Sequence, residues 1–139
     1  MIDAREYLNY FRISESKIEL KIKQVQSLQN RLLSLSPALD QEHVSHTKNV
    51  AVMADTIAII TDIQRDIDQQ TSEIFQRKRE AYQLLDQISP ENAEILIERY
   101  FDGKTVRAIS QMIHVTKRQA QRRINEAIEE FQTVLNTIN

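Results

Sequence analysis

Cysteine and tryptophan are missing from this sequence, and its 139 residues include a single glycine and two prolines. Without cysteine there are no disulfides, no zinc–thiolate sites and no thiol catalysis, which fits a reducing compartment. So little glycine and proline leaves few places for sharp reversals, which argues for a few long helices rather than many short strands. Aromatic residues make up only 6%, against 27% charged and 41% apolar. In bundled or coiled helices Leu and Ile fill a seam while Glu, Lys, Arg and Gln cover the rest, and the composition matches that pattern. Long hydrophobic runs are lacking too. No apolar stretch approaches the roughly 20 residues a bilayer requires, and Asp3, Arg5 and Glu6 charge the N-terminus where a secretory signal is apolar. A soluble, cytoplasmic chain with no membrane partner is therefore expected.

Catalytic signatures are equally sparse. There is no Gly-rich phosphate loop and no nucleophile elbow. Asp62, Asp66 and Asp68 are spaced for exposed helix faces rather than for a shielded acid–base pair. His43 and His46 have an H-x-x-H spacing but sit in a Pro-containing stretch with no third ligand fixed nearby, so they read as surface histidines. Neither an enzyme, a cofactor nor a metal site is expected.

What is present is an uneven distribution of charge. The net charge is only −2. Yet Lys104, Arg107, Lys117, Arg118, Arg122 and Arg123 fall in a 20-residue stretch with no acidic residue, leaving twelve basic against twenty acidic residues elsewhere. A local cluster of this kind is the electrostatic footprint of a polyanion-binding surface.

Hydrophobic periodicity divides the chain. From about Asp3 to Leu35, Phe11, Ile18, Val25 and Leu32 recur every seven residues, with Ile22, Leu28 and Leu35 between them, which predicts a helix packed lengthwise on another helix. Ser36-Pro37 is expected to end it, because the residue before proline resists the α region. The polar stretch from 36 to 47 reads as a loop. A second helix is predicted from about Lys48 to Ile88, its seam formed by Val50, Met53, Ile57, Ile60, Ile67, Ile74, Ala81, Leu85 and Ile88. Gln64, Thr71 and Lys78 interrupt that seam, as polar residues that fix register or partner number do. At ~1.5 Å per residue such a helix is about 60 Å long. Its apolar strip must be covered by the first helix, by a second copy of the chain, or by both.

Ser89-Pro90-Glu91 marks a boundary, with a capping residue, a proline suited to the first helical position, and acidic residues suited to a helix N-terminus. Three helices are predicted beyond it: one through Phe101, a second over about Val106–Ile113 after the Asp102-Gly103-Lys104 turn, and a third over about Lys117–Asn136. Thr105 and Thr116 are the predicted caps of the last two. Three helices in some 50 residues, the last pair joined by a tight turn, form a trihelical DNA-binding pattern.

That pattern assigns faces. Ile109, Ile113, Val115, Ala120 and Ile124 supply a buried set, Ser110 is small enough for the crossing, and Tyr100, Phe101, Ile128 and Phe131 close the core. The outward face of the third helix is then Lys117, Arg118, Gln121, Arg122 and Asn125. Arg and Lys donate to guanine O6 and N7, and Gln and Asn can pair two-fold with adenine, so these five are the candidate base readers. Lys104, Thr105, Arg107, Thr116 and Arg123 are the candidate phosphate contacts, which position rather than specify.

The stretch ERYFDGKTVRAISQMIHVTKRQAQRRINEAIEEF resembles the region of sigma factors that recognises the −35 promoter element. It is most similar to phage regulators of late transcription of the RinA and ArpU kind, in which an "RY-F/L-x-G" segment, here Arg99, Tyr100, Phe101 and Gly103, precedes the helix-turn-helix. The match is close over about 40 residues, and the rest agrees only in helical character. The resemblance implies promoter binding, contact with RNA polymerase and an activating role for phage or prophage genes, with base reading at Lys117, Arg118, Gln121 and Arg122. Two positions depart from the pattern. His114 stands where glycine is usual, and Arg123 stands at a usually apolar position, which leaves open whether Arg122 or Arg123 faces the bases.

The resulting expectation is an all-α protein: a long, coiled-coil-like antiparallel helical hairpin over residues 1–88, then a helix-turn-helix domain over 89–139. A single such module reads only a few base pairs, so a homodimer or higher homo-oligomer through residues 3–88 is expected. Two alternatives share these features. One is a phage terminase small subunit, which would form rings. The other is a coiled-coil interaction module or anti-activator, whose basic helix would grip an acidic protein.

Overall fold

The structure, a computed structural model, describes the backbone of residues 2–41 and 46–138 and the side chains outside 36–46. The chain is all-α, with no strand among the described residues. Its helices are α1 (Ala4–Gln41), α2 (His46–Leu85), α3 (Pro90–Leu96), α4 (Val106–Met112) and α5 (Lys117–Thr137); α3 runs on into a π-helical turn over Ile97–Phe101. None of these helices is long and apolar enough to cross a membrane.

Ser36-Pro37 does not end the first helix, which continues to Gln41, and α2 already begins at His46. Of the expected 36–47 loop, residues 36–41 and 46–47 are helical, and 42–45, with His43 among them, lie outside the described residues. Proline's own φ is helical. Its penalty is one missing N–H bond and crowding of the preceding turn, which a helix already propagating through some 30 residues tolerates.

The chain falls into two compact units, one formed by residues 1–15 and 74–139, the other by 16–73. This division differs from the boundary expected at 88/89, because both ends of the predicted arm belong with the C-terminal helices. Local chemistry alone could not show that for residues 1–15, whose hydrogen bonds to α5 span 120 to 130 positions.

In the unit of residues 16–73, Lys21 and Asp66 approach to 3.9 Å. Lys21 lies 20 residues before Gln41 and Asp66 lies 20 residues after His46, the register of antiparallel neighbours. Val25, Ile60 and Thr56 are buried, whereas Leu20, Ile22, Leu33, Val50, Ile57 and Ile59 are exposed. Val50 and Ile57, expected in the seam, thus face outward while Thr56 takes an inward place. Its hydroxyl donates to the Val52 carbonyl at 2.7 Å, which satisfies the buried polar group within its own helix. An open groove of about 470 Å³ runs past Ile22, Val25, Gln64 and Ile67.

The unit of residues 1–15 and 74–139 holds a continuous core. Leu8, Phe11, Ala81, Leu85, Ile95, Leu96, Phe101, Ile109, Ile124, Phe131 and Leu135 are all buried. Phe11 packs edge-on against Phe101 with ring centroids 4.7 Å apart, and Tyr7 lies 5.6 Å from Phe131. The Tyr7 hydroxyl is buried without a hydrogen-bond partner among the described residues. Burial, with Glu80 adding to it, pushes the phenol up to about 12. Asp3 starts α1 by accepting from the N–H groups of Arg5 (2.8 Å) and Glu6 (3.2 Å).

Candidate nucleic-acid interface

The candidate interface is built by two turns and the helices they orient. At the first turn Gly103 has φ +72, the left-handed region that glycine enters without steric cost. Two bonds close this turn: the Lys104 N–H donates to the Glu98 carbonyl (3.0 Å) and Arg99 Nη1 donates to the Lys104 carbonyl (2.8 Å). Burial and the nearby Arg12 lower the pKa of Arg99. At the second turn His114 has φ +59, so the histidine itself takes the left-handed place that glycine holds in the resembled pattern. The Val115 N–H then donates to the Ser110 carbonyl at 3.0 Å, the six-to-one bond that finishes a Schellman-type helix end.

Both following helices are capped by threonine, as the sequence predicts. Thr105 Oγ1 accepts from the Ala108 N–H at 3.1 Å. Thr116 forms a full capping box with Gln119: its Oγ1 accepts from the Gln119 N–H at 3.1 Å while the Gln119 side chain accepts from the Thr116 N–H at 3.0 Å. Each hydroxyl keeps its own proton to donate. α3 is held differently. Ser89 occupies the capping position but makes no side-chain cap. Instead the Glu130 carboxylate of α5 accepts from the Ser89 N–H (2.6 Å), the Ser89 hydroxyl (3.2 Å) and Asn92 Nδ2 (2.5 Å). Those bonds, the Ser89 N–H first, lower the pKa of Glu130. Nothing local in the sequence marks Glu130 for this role.

The inward face of α5 is Ala120, Ile124, Ala127, Ile128, Phe131, Val134 and Leu135. Ile109 and Ser110 of α4 are buried at the crossing, with Ile113 and Val115 only partly so. With these residues inside, Lys117, Arg118, Gln121 and Arg122 are all exposed over the first turns of α5. Asn125 is half-buried, its Oδ1 accepting from Gln121 Nε2 (3.1 Å) and from Arg5 Nη2 (3.0 Å). At 3.6 residues per turn, Gln121 and Asn125 stack one turn apart, and Arg118 and Arg122 likewise. Arg123 projects to the opposite flank, half-buried and 3.8 Å from Glu126. Arg122, not Arg123, is therefore on the exposed candidate face.

Among the candidate phosphate contacts, Thr105, Arg107 and Thr116 are exposed. Lys104 is engaged with Glu98 at 2.5 Å, a bond that raises its pKa and keeps it charged. Sequence reasoning missed Arg5, which α1 carries to the edge of this face. Its only signal was a basic residue near the N-terminus, 120 positions from Asn125. Compared with known proteins, the chain is matched by no family model, no curated protein and no solved structure.

Proposed function

We propose that this chain is a sequence-specific double-stranded-DNA-binding regulator of transcription that lays the N-terminal half of α5 in the major groove. One observation carries the reading. Lys117, Arg118, Gln121 and Arg122 stand exposed on a helix start that is capped by Thr116 and held from behind by Ile109, Ala120 and Ile124. These side chains carry the donors and acceptors that read base edges, and a helix N-terminus is the part of a helix-turn-helix that enters the groove. Lys104, Thr105, Arg107 and Thr116 supply phosphate contacts, with Arg123 on the far flank.

The exposed leucines and isoleucines of residues 16–73 support self-association into a homodimer or higher oligomer, which doubles the contact with DNA and sets the spacing of half-sites. The sigma-like stretch points to promoters of phage or prophage genes in the bacterial cytoplasm, to RNA polymerase as a partner and to activation.

The test is selection of purified protein on random duplexes, followed by binding across a salt series. Expected is a repeated or palindromic motif and an affinity falling with salt by about 0.9 log units per log unit for each phosphate neutralised. Arg118→Ala with Arg122→Ala should lose about 1–3 kcal/mol of preference at each base contacted. No enriched motif, with both proteins binding weakly and alike, sinks the reading.

A further inference from the structure

A hydrogen-bond chain joins the first turn of α1 to the exposed face of α5. Arg5 Nη2 donates to Asn125 Oδ1 at 3.0 Å, and Gln121 Nε2 donates to the same oxygen at 3.1 Å. A guanidinium has only donors, so the Asn125 atom that faces Arg5 is the carbonyl oxygen. That oxygen in turn requires Gln121 to face it with its amide nitrogen. One cation thus orients both amides.

The consequence for recognition is unequal. Both lone pairs of the Asn125 oxygen are taken, so Asn125 has only its NH₂ donors left. Among the described residues, nothing engages the carbonyl oxygen or the second N–H of the Gln121 side chain. In the major groove adenine offers the N6 amino donor beside the N7 acceptor, and only Gln121 keeps the complementary pair.

Arg5 is itself held in place. The Ala4 N–H donates to Gln132 Oε1 at 2.7 Å and Gln132 Nε2 donates to the Ile2 carbonyl at 2.8 Å. Ala4, Leu8 and Phe11 are buried beneath the same stretch of helix.

We infer that Gln121 is the adenine-reading residue of this face and that Arg5 and Asn125 are positioning residues that fix its amide. The inference rests on the DNA-binding reading above. It makes the start of α1 part of the recognition surface and gives Asn125 an orienting role instead of a second adenine contact.

The experiment repeats the duplex selection with Gln121→Ala, Asn125→Ala, Arg5→Ala and Arg5→Lys, then measures competition among the four base pairs at the position Gln121→Ala affects. Gln121→Ala is expected to reduce preference for adenine at one position about tenfold. Arg5→Ala and Asn125→Ala should reduce it at that same position, and Arg5→Lys, which still donates to Asn125, should retain it. Preferences that depend on Arg118 and Arg122 should not change. Arg5 is exposed, so its variants should melt within a few degrees of wild type, which separates this effect from loss of fold. Full adenine preference in Arg5→Ala, or an equal loss at every position, overturns the inference while DNA binding stands. If the wild-type chain enriches no motif, the functional reading fails and the inference with it.

Discussion

The same seven-residue hydrophobic spacing runs through residues 16–73 and through the helical segments at 1–15 and 74–88, yet the two regions use it differently. In the unit of residues 1–15 and 74–139, side chains at this spacing such as Phe11, Ile74, Ala81 and Ile88 are buried, because α3, α4 and α5 supply further layers. In the unit of residues 16–73, only Val25, Ile60 and Thr56 are buried among the described side chains, and Leu33 is 71% exposed. Two helices touch along one line, and an apolar stripe wider than that line stays wet until something else covers it. Periodicity reports which residues could be inside. How many layers arrive decides which of them are.

Truncation should separate the two regions most sharply. Phe11→Ala removes a ring that is 1% exposed and packed on Phe101, and it should cost about 3–5 kcal/mol in chemical denaturation. Leu33→Ala should change monomer stability by less than about 0.5 kcal/mol. A concentration-dependent loss in Leu33→Ala, read by light scattering beside the melt, would show that a second copy covers that face. A large loss independent of concentration would break the comparison.

A smaller effect is expected at Glu130, whose carboxylate ties α5 to the start of α3. Glu130→Gln should destabilise the unit by about 1–2 kcal/mol, since two or three charge-assisted bonds weaken together. The folded pKa of Glu130 is lowered from 4.5. The stabilisation is therefore complete above that ordinary value and is lost as pH falls through the lowered one. Wild type and Glu130→Gln should converge in stability under acid, and parallel pH profiles would refute the assignment.

Smallest is the contrast between the two left-handed turn residues. Gly103→Ala should cost about 1 kcal/mol, from conformation alone, because among the described residues nothing beyond its chain neighbours lies within 4 Å of an added Cβ. His114→Gly should stabilise by up to about 1 kcal/mol in the same melts by relieving the strain at φ +59. A destabilised His114→Gly would mean that the imidazole makes contacts outweighing the backbone strain.

Much of the candidate site was legible in the sequence. The Thr105 and Thr116 caps, the reversal at Gly103, the burial of Ile109, Ala120, Ile124 and Phe131, and the exposure of Lys117, Arg118, Gln121 and Arg122 all follow from short spacings. Pro37 was misleading, because its steric bias acts on one turn whereas a long helix is cooperative over many. Val50 and Ile57 misled for the opposite reason: their spacing was right for a seam, but residues 16–73 have too few layers to bury it.

The sequence by itself determined the helical class, the capped turns and the inward face of α5, because each depends on residues within a turn or two of one another. Only the tertiary structure decided that Glu130 would hold Ser89 across 41 positions, that Gln132 would anchor Ala4 across 128, and that Arg5 would reach Asn125 across 120. Such bonds are polar, one residue deep and without period, so they leave no pattern along the chain and exist only once the core has brought distant segments together.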